Sequence, residues 1–295
     1  MTARIIDGRI IAADIRKEVA RDVAALKAKG IMPGLAAVVV GDDPASQTYV
    51  ANKERACREV GIYTEIHRID SSVSQDGLLD LIESLNRANR VHGILVQLPL
   101  PPHIEEHAII ECVRPDKDAD GFHPLNIGHL AIGDSQFVPA TPFGVMEMLR
   151  REGVHLGGKH AVIVGRSNIV GKPIATAWMQ GDPQFFPRVT VCHRTDPNLA
   201  EVTKQADILV VAVGIPEVIT AEMVKPGAVV IDVGINHIED KSLKRGYKIV
   251  GDVDFDAVSE VASAITPVPG GVGPMTVAML LRNTVSAAKA QIEQA

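Results

Sequence analysis

A strand, a glycine-bearing turn and a helix start follow one another in AVIVGRSNIVGKP, residues 161–173 of a 295-residue chain. Such a segment opens a nucleotide-binding α/β unit, because a helix N-terminus at the carboxyl edge of a parallel sheet presents backbone N–H groups to a pyrophosphate. Its position constrains everything else. More than half of the chain precedes it, and that half carries a candidate reacting pair, Tyr49 and Lys53, in GDDPASQTYVANKERACREVGI. A Y-x-x-x-K pair is usual in short-chain dehydrogenases, where the cofactor loop comes first and the pair follows. Here the order is reversed. The reacting groups are therefore expected in one domain and the cofactor in another, with the reaction in a cleft between them.

The remaining pattern fits two α/β domains, which is also what the length suggests at about 150 residues per domain. Ile11, Ile15, Val19, Val23 and Leu26 form an amphipathic helical stripe that stops at Gly30. LAAVVVG (35–41) reads as a buried strand. Asp43 and Pro44 then offer an N-cap and a first helical residue for a helix reaching Val60. A strand over Tyr63–Ile69 follows, then a helix capped by Ser74 and a strand at GILVQL, 93–98. From Lys159 the rhythm restarts with AVIVG, VTVCH, DILVVAVG and AVVIDVG, the last two apolar enough to be central strands of a parallel sheet. A last helix is expected from Met275 to about Ala290. Aromatic residues make up only 3% of the chain against 46% hydrophobic, so both cores must be aliphatic.

Candidate chemistry concentrates at a few places. Ser46, Tyr49 and Lys53 share one helical face by their i−3 and i+4 spacing, and a lysine beside a hydroxyl in a partly buried cleft can serve as a general acid or base. PDKDADG places Asp116, Asp118, Asp120 and Gly121 like the opening of a calcium loop, but Ile127 stands where a bidentate glutamate is required. The calcium reading fails, leaving a carboxylate cluster suited to an amine-rich ring. In GRSNIVGKP, Ser167 holds the place of the second glycine of G-x-G-x-x-G, and Ile169 excludes a G-x-S-x-G nucleophile elbow. The second strand of this half ends in CHRTD. Arg194 stands where an NAD enzyme usually has an acid, and with Arg166 it favours the 2′-phosphate of NADP. His103 and His107 lack a third ligand and read as a surface helix, and no metal site is expected.

A net charge of −6 without a basic patch argues against nucleic acid. Three scattered cysteines and no long apolar run argue against a disulfide framework and a membrane span, and point to a reducing cytoplasm.

Five segments, VGDDPASQTYVANKERACREVGI, GILVQLPLP, PDKDADGFHPLNIGHL, GRSNIVGKP and TPVPGGVGPMTVAMLL, together resemble the bifunctional methylenetetrahydrofolate dehydrogenase/methenyltetrahydrofolate cyclohydrolase family. The resemblance runs through nearly the whole chain in the same order. It implies a catalytic domain over 1–140 to which a C-terminal helix, 275–295, returns, and a Rossmann-like NADP domain over 141–270. It makes Lys53 the residue central to hydrolysis of the methenyl bridge and lays Tyr49 over the folate. Gln97 is placed near the reacting carbon, and Asp120, with Asp118 beside it, on the pterin. Ser46 joins the substrate side, and Pro267, Gly270 and Gly271 line the pterin cleft. Gly165, Arg166 and Ser167 correspond to the phosphate loop, Arg194 to the position after the second strand and Ile235 to a residue near the nicotinamide. A homodimer is implied as well. The chain departs from the family's usual pattern at Ala140 and His129, and QGDPQFFPR (180–188) reads as an insertion at the rim of the cofactor site. Two other classes compete. One is a shikimate-dehydrogenase-like NADP enzyme acting on a small hydroxy acid, which predicts a Lys/Asp pair and no PVPGGVGP loop. The other is a nucleotide-sensing module that binds NADP without turnover.

Overall fold

Two parallel sheets covered by helices carry most of the regular structure. The computed structural model describes residues 2–180, 187–243 and 246–293. Its elements in the first half are β1 (Arg4–Ile5), α1 (Gly8–Ala28), β2 (Gly34–Val40), α2 (Pro44–Val60), β3 (Tyr63–Ile69), α3 (Gln75–Arg87), β4 (Gly93–Val96), α4 (Glu106–Cys112), α5 (Pro124–Ile132) and α6 (Ala140–Arg151). Then come β5 (His160–Val164), α7 (Gly171–Trp178), β6 (Arg188–Cys192), α8 (Leu199–Thr203), β7 (Ile208–Val211), β8 (Val229–Asp232), β9 (Asn236–Glu239), β10 (Tyr247–Val250), α9 (Phe255–Ser259), β11 (Ala264–Ile265) and α10 (Val272–Glu293). Contacts divide the chain into two compact units. The three-stranded unit comprises Ala13–Leu130, Asp134–Ala140 and the chain from Val277. The six-stranded unit takes residues up to Ala12, Ala131–Gly133 and Thr141–Thr276, so the division falls within α1 and α10.

In the three-stranded unit the order is β3-β2-β4, with both pairings parallel. Every residue of the central β2 is buried, which is why Gly34–Val40 reads as an unbroken apolar run rather than an alternation. Val38, Ile94 and Val96 pack against Leu78, Ile82 and Leu85 of α3 and Ile109 of α4. Local chemistry sets the helix starts. The Asp43 carboxylate accepts the Ser46 N–H at 2.7 Å, and Ser74 Oγ accepts the Gly77 N–H at 3.1 Å.

The six-stranded unit has the order β1-β11-β8-β7-β5-β6, every neighbouring pair parallel, with β9 and β10 forming a separate antiparallel pair. Val162, Val164, Leu209, Val211 and Val230 make its aliphatic core with Ile219 and Val258.

The structure departs from the sequence reading at several elements. Helix α10 begins at Val272 rather than Met275, because Pro274 falls in the first turn, where its missing N–H has no helical partner to lose. Strands β1, β9, β10 and β11 were not foreseen. His103 lies in a turn ahead of α4 instead of on a helix, its Nε2 2.9 Å from the Val73 carbonyl. Within QGDPQFFPR, residues 181–186 lie outside the described residues. Among the described residues no helix is long and apolar enough to cross a membrane, and no three metal-binding side chains gather.

Candidate active site

The carboxyl ends of β2 and β4 bring together groups far apart in sequence. Parallel strands aim their successor segments the same way, so α2, which follows β2, and the segment after β4 meet at one edge of the sheet. Gln97 is the first residue beyond β4, and its N–H still reaches the Val38 carbonyl at 2.8 Å. Lys53 Nζ donates to Gln97 Oε1 at 3.0 Å. The other half of that amide donates to the Leu98 carbonyl at 2.7 Å, which fixes its orientation and keeps the oxygen toward Lys53.

Asp120 is the carboxylate facing this pair. Its segment is anchored by an added parallel bridge between Asp118 and Ile94 and by the Ala119 N–H on the Ile94 carbonyl. Asn283 of α10 secures the same segment from the other side, donating to the carbonyls of Ala119 and Val138 at 2.9 and 3.0 Å. The two aspartates then diverge. Asp118 is buried, and its oxygens accept from the Gly121 and His123 N–H groups and the Asn126 amide at 2.8–3.0 Å. Its carboxylate is thus taken up by its own loop.

The electrostatics follow from burial. Withdrawal from water lowers the pKa of Lys53, and the Asp120 charge opposes the shift. Burial pushes Asp120 up to about 6; Lys53 counteracts this, and Asp118 adds to it. Asp118 is raised by burial against the pull of its loop N–H groups. Cys57, one turn beyond Lys53, is pushed by burial to about 12 and stays a thiol. The cluster therefore holds an amine able to exchange protons and a carboxylate that titrates near neutrality. On the same helix Ser46 is buried and Tyr49 is exposed at 39%.

The other candidate residues belong to the six-stranded unit. Gly165, with φ +125°, closes a tight turn in which a Cβ would sit 2.2 Å from the Ala212 carbonyl oxygen, so only glycine fits. Ser167 Oγ accepts the Val170 N–H at 3.1 Å, shaping the loop that enters α7. Arg166 and Arg194 each stand two residues beyond the register pair Val164–Cys192 at the ends of β5 and β6. Both are exposed, and neither forms an ion pair among the described residues. Ile235 is exposed after β8. In the loop before α10, Pro267 is half-buried and Gly270 and Gly271 are buried, with the Arg9 guanidinium against Gly270.

Sequence reasoning passed over Asp232, Asp252 and Thr266, all buried in the six-stranded unit and joined by hydrogen bonds. A signal for two of them was present: each aspartate interrupts or ends an apolar run, in VVIDVG and in IVGDVD.

Comparison with known proteins identifies the family. Residues 6–120 match the catalytic domain of tetrahydrofolate dehydrogenase/cyclohydrolase, and residues 139–292 match the NAD(P)-binding domain of the same family. The bifunctional protein FolD of Moorella thermoacetica is 55% identical over 289 residues, covering 98% of this chain and 100% of that one. Among solved structures, the FolD methylenetetrahydrofolate dehydrogenase/cyclohydrolase of Campylobacter jejuni superposes with a TM-score of 0.92 at 49% identity, covering 98% of this chain and 99% of that one. The Trypanosoma brucei enzyme complexed with NADP cofactor and inhibitor gives 0.94 at 41% identity, with 99% of each chain covered. A protein whose two halves match both domain types, in order and over nearly its full length, belongs to the tetrahydrofolate dehydrogenase/cyclohydrolase family.

Proposed function

We propose that the protein oxidises 5,10-methylenetetrahydrofolate to 5,10-methenyltetrahydrofolate with NADP and hydrolyses the product to 10-formyltetrahydrofolate. The carrying observation is the cluster of Lys53, Gln97 and Asp120, an amine, an oriented amide and a titratable carboxylate at one sheet edge. Family membership supports both reactions and sets aside the hydroxy-acid and sensing readings.

The division of labour follows from the groups. Asp120, ionised above about 6, accepts N–H groups of the pterin in charge-assisted hydrogen bonds and fixes the ring. Tyr49 provides an exposed aromatic face for the folate, and Ser46 closes the start of that helix. Asp118 holds the loop in shape for Asp120. In the hydrolysis, water adds to the methenyl carbon and gives up one proton; the resulting hydroxyl gives up its second as it becomes the formyl carbonyl, while the bond from that carbon to the pterin nitrogen breaks and that nitrogen gains a proton. The net release is one proton. Lys53, its pKa lowered by burial and its Nζ held by Gln97, takes the proton from water and returns one to the leaving nitrogen. Pro267, Gly270 and Gly271 are assigned to pterin binding on the strength of the family.

The six-stranded unit suits the cofactor. The Gly165 turn opens onto the start of α7, and Arg166 and Arg194 lie exposed at adjacent strand ends, free of ion pairs among the described residues, as a 2′-phosphate requires. NADP, when bound, supplies the hydride acceptor. Gly165, Arg166, Ser167 and Arg194 would hold its phosphates, and Ile235 would stand near the nicotinamide. In domain terms, the three-stranded unit (Ala13–Leu130, Asp134–Ala140 and the chain from Val277) binds folate and the six-stranded unit binds NADP, which moves residues up to Ala12 out of the 1–140 folate domain expected from the sequence. We also infer a cytoplasmic homodimer supplying one-carbon units for purine biosynthesis, on the strength of the family.

The test is a spectrophotometric assay with methylenetetrahydrofolate and either NADP or NAD, followed by hydrolysis of the methenyl product. Turnover with NADP preferred is expected. Absence of both activities overturns the proposal, and equal efficiency with the two cofactors overturns the assignment of the arginines.

A further inference from the structure

Two buried carboxylates lie beneath the carboxyl edge of the six-stranded sheet, outside every role described so far. Asp232 ends β8 and is 3% exposed; Asp252 follows β10 and is fully buried. No basic side chain is among their hydrogen-bond partners in the described residues; amide groups surround them instead. Asp232 Oδ1 accepts the N–H groups of Gly234 and Asp252 at 2.9 and 3.0 Å, and its Oδ2 accepts that of Val253 at 2.9 Å. Asp252 Oδ2 accepts the N–H groups of Val213 and Gly214 at 2.7 and 3.0 Å, and its Oδ1 accepts the side-chain amide of Asn236 at 2.8 Å. The backbone N–H of Asp232 donates to Thr266 Oγ1 at 2.8 Å.

These bonds join four segments. Val213–Gly214 leaves β7, Gly234–Asn236 leaves β8, and Gly251–Val253 leaves β10. Thr266 begins the strand-to-helix loop that contains Pro267–Gly271. The packing is tight enough to exclude side chains. A Cβ on Gly251 would fall 1.8 Å from Asp232 Oδ2, and one on Gly234 would fall 2.3 Å from Asp252 Oδ1. Ile235, between two tied residues, reaches back so that its Cδ1 lies 3.8 Å from where a Cβ on Gly273 would be. Burial raises Asp232 to about 7, with Asp252 adding to the shift, so the arrangement carries a desolvation cost. Such costs concentrate where geometry serves function.

We infer that Asp232 and Asp252 are positioning residues for hydride transfer, holding the Ile235 segment and the Pro267–Gly271 loop in one fixed arrangement through backbone N–H groups. The inference rests on the proposed function, which puts the nicotinamide at the first segment and the pterin at the second. Hydride transfer needs reacting carbons about 3–3.5 Å apart, and misplacement by about 1 Å costs on the order of 100-fold. Hydrolysis of the methenyl bridge uses the Lys53 cluster and has no such requirement.

The experiment compares Asp252→Asn and Asp232→Asn with the unaltered enzyme. Each replacement puts an NH2 group against existing donors while conserving shape. Four quantities are read: dehydrogenase kcat, the primary isotope effect with deuterium on the methylene carbon, NADP affinity by direct titration, and methenyl hydrolysis. We expect kcat to fall roughly 10- to 100-fold with a raised isotope effect. NADP affinity should stay within about threefold and hydrolysis within about twofold, changes below 1 kcal/mol. Unchanged kcat and isotope effect overturn the inference. So does a parallel loss of both activities accompanied by a lower melting temperature, which marks a purely structural role. Should either variant fail to fold, Asn236→Ala removes one donor at the half-buried rim and decides alone: the same split at smaller size supports the inference, and wild-type kinetics overturn it. An unaltered enzyme that does not reduce NADP refutes the proposed function instead, so the two failures are distinguishable.

Discussion

Replacing Gln97 with methionine isolates the geometry of the catalytic amine from its presence. The amide oxygen is the acceptor for Lys53 Nζ at 3.0 Å, and the amide is oriented by its own bond to the Leu98 carbonyl. Methionine has similar length and no comparable acceptor, so Lys53 remains but loses its fixed partner. A hydrogen bond involving a charged group contributes about 1.5–3 kcal/mol, which corresponds to roughly 10- to 150-fold if the bond holds the amine where the proton must move. Two consequences follow for the pH profile of methenyl hydrolysis. The plateau rate falls by that factor. The limb set by Lys53 moves to lower pH, because the lost acceptor had stabilised the ammonium form while burial already disfavours it. Steady-state hydrolysis of methenyltetrahydrofolate across pH, with Lys53→Ala as the baseline, measures both. A Gln97→Met enzyme with unchanged plateau and unchanged limb refutes the reasoning, since the 3.0 Å contact would then have no part in the proton transfers.

Three further outcomes are expected. Lys53→Ala and Lys53→Arg should each lose about 100- to 10,000-fold in hydrolysis, the usual contribution of a general acid–base group, because guanidinium does not release its proton; near-normal hydrolysis by either shows that another group does the work. Arg166→Ala or Arg194→Ala should each cost roughly 10- to 100-fold in kcat/KM for NADP with little effect on NAD, and parallel losses with both cofactors would place the arginines elsewhere. Asp120 titrates at about 6 and binds the pterin when ionised, so folate affinity and both activities should fall as pH drops through that value; Asp120→Asn should be weak at every pH and lack this limb, with NADP affinity intact. Retained folate affinity with loss of only one activity would make Asp120 a proton-transfer group.

Much of this architecture is legible in the chain because its signals are local. Asp43 and Pro44, and Ser74, mark helix starts within four residues, and the buried central strand Gly34–Val40 declares itself by an unbroken apolar run. The helical face shared by Ser46, Tyr49 and Lys53 is a matter of spacing alone. What the chain conceals is non-local. Strands β1 and β11 are two residues each, too short for any periodic signal, and exist because each finds a parallel partner far away in sequence. The bond between Lys53 and Gln97 spans 44 positions and depends on two strand ends meeting at one edge. The D-x-D-x-D run makes Asp118 and Asp120 look equivalent, yet one carboxylate is consumed by two N–H groups of its own loop and the Asn126 amide of α5 while the other faces an amine. Asp232 and Asp252 are the extreme case. As letters they are two acids beside apolar runs; in the fold they become buried acceptors for six N–H groups from loops between residues 213 and 253. A buried carboxylate without a cation is unfavourable unless surrounding amides are already aimed at it, so its presence implies that the fold fixes those loops beforehand. That prior fixing is also what a hydride transfer over about 3–3.5 Å requires. The aspartates least visible in the sequence are therefore the ones from which the reactive geometry can best be argued.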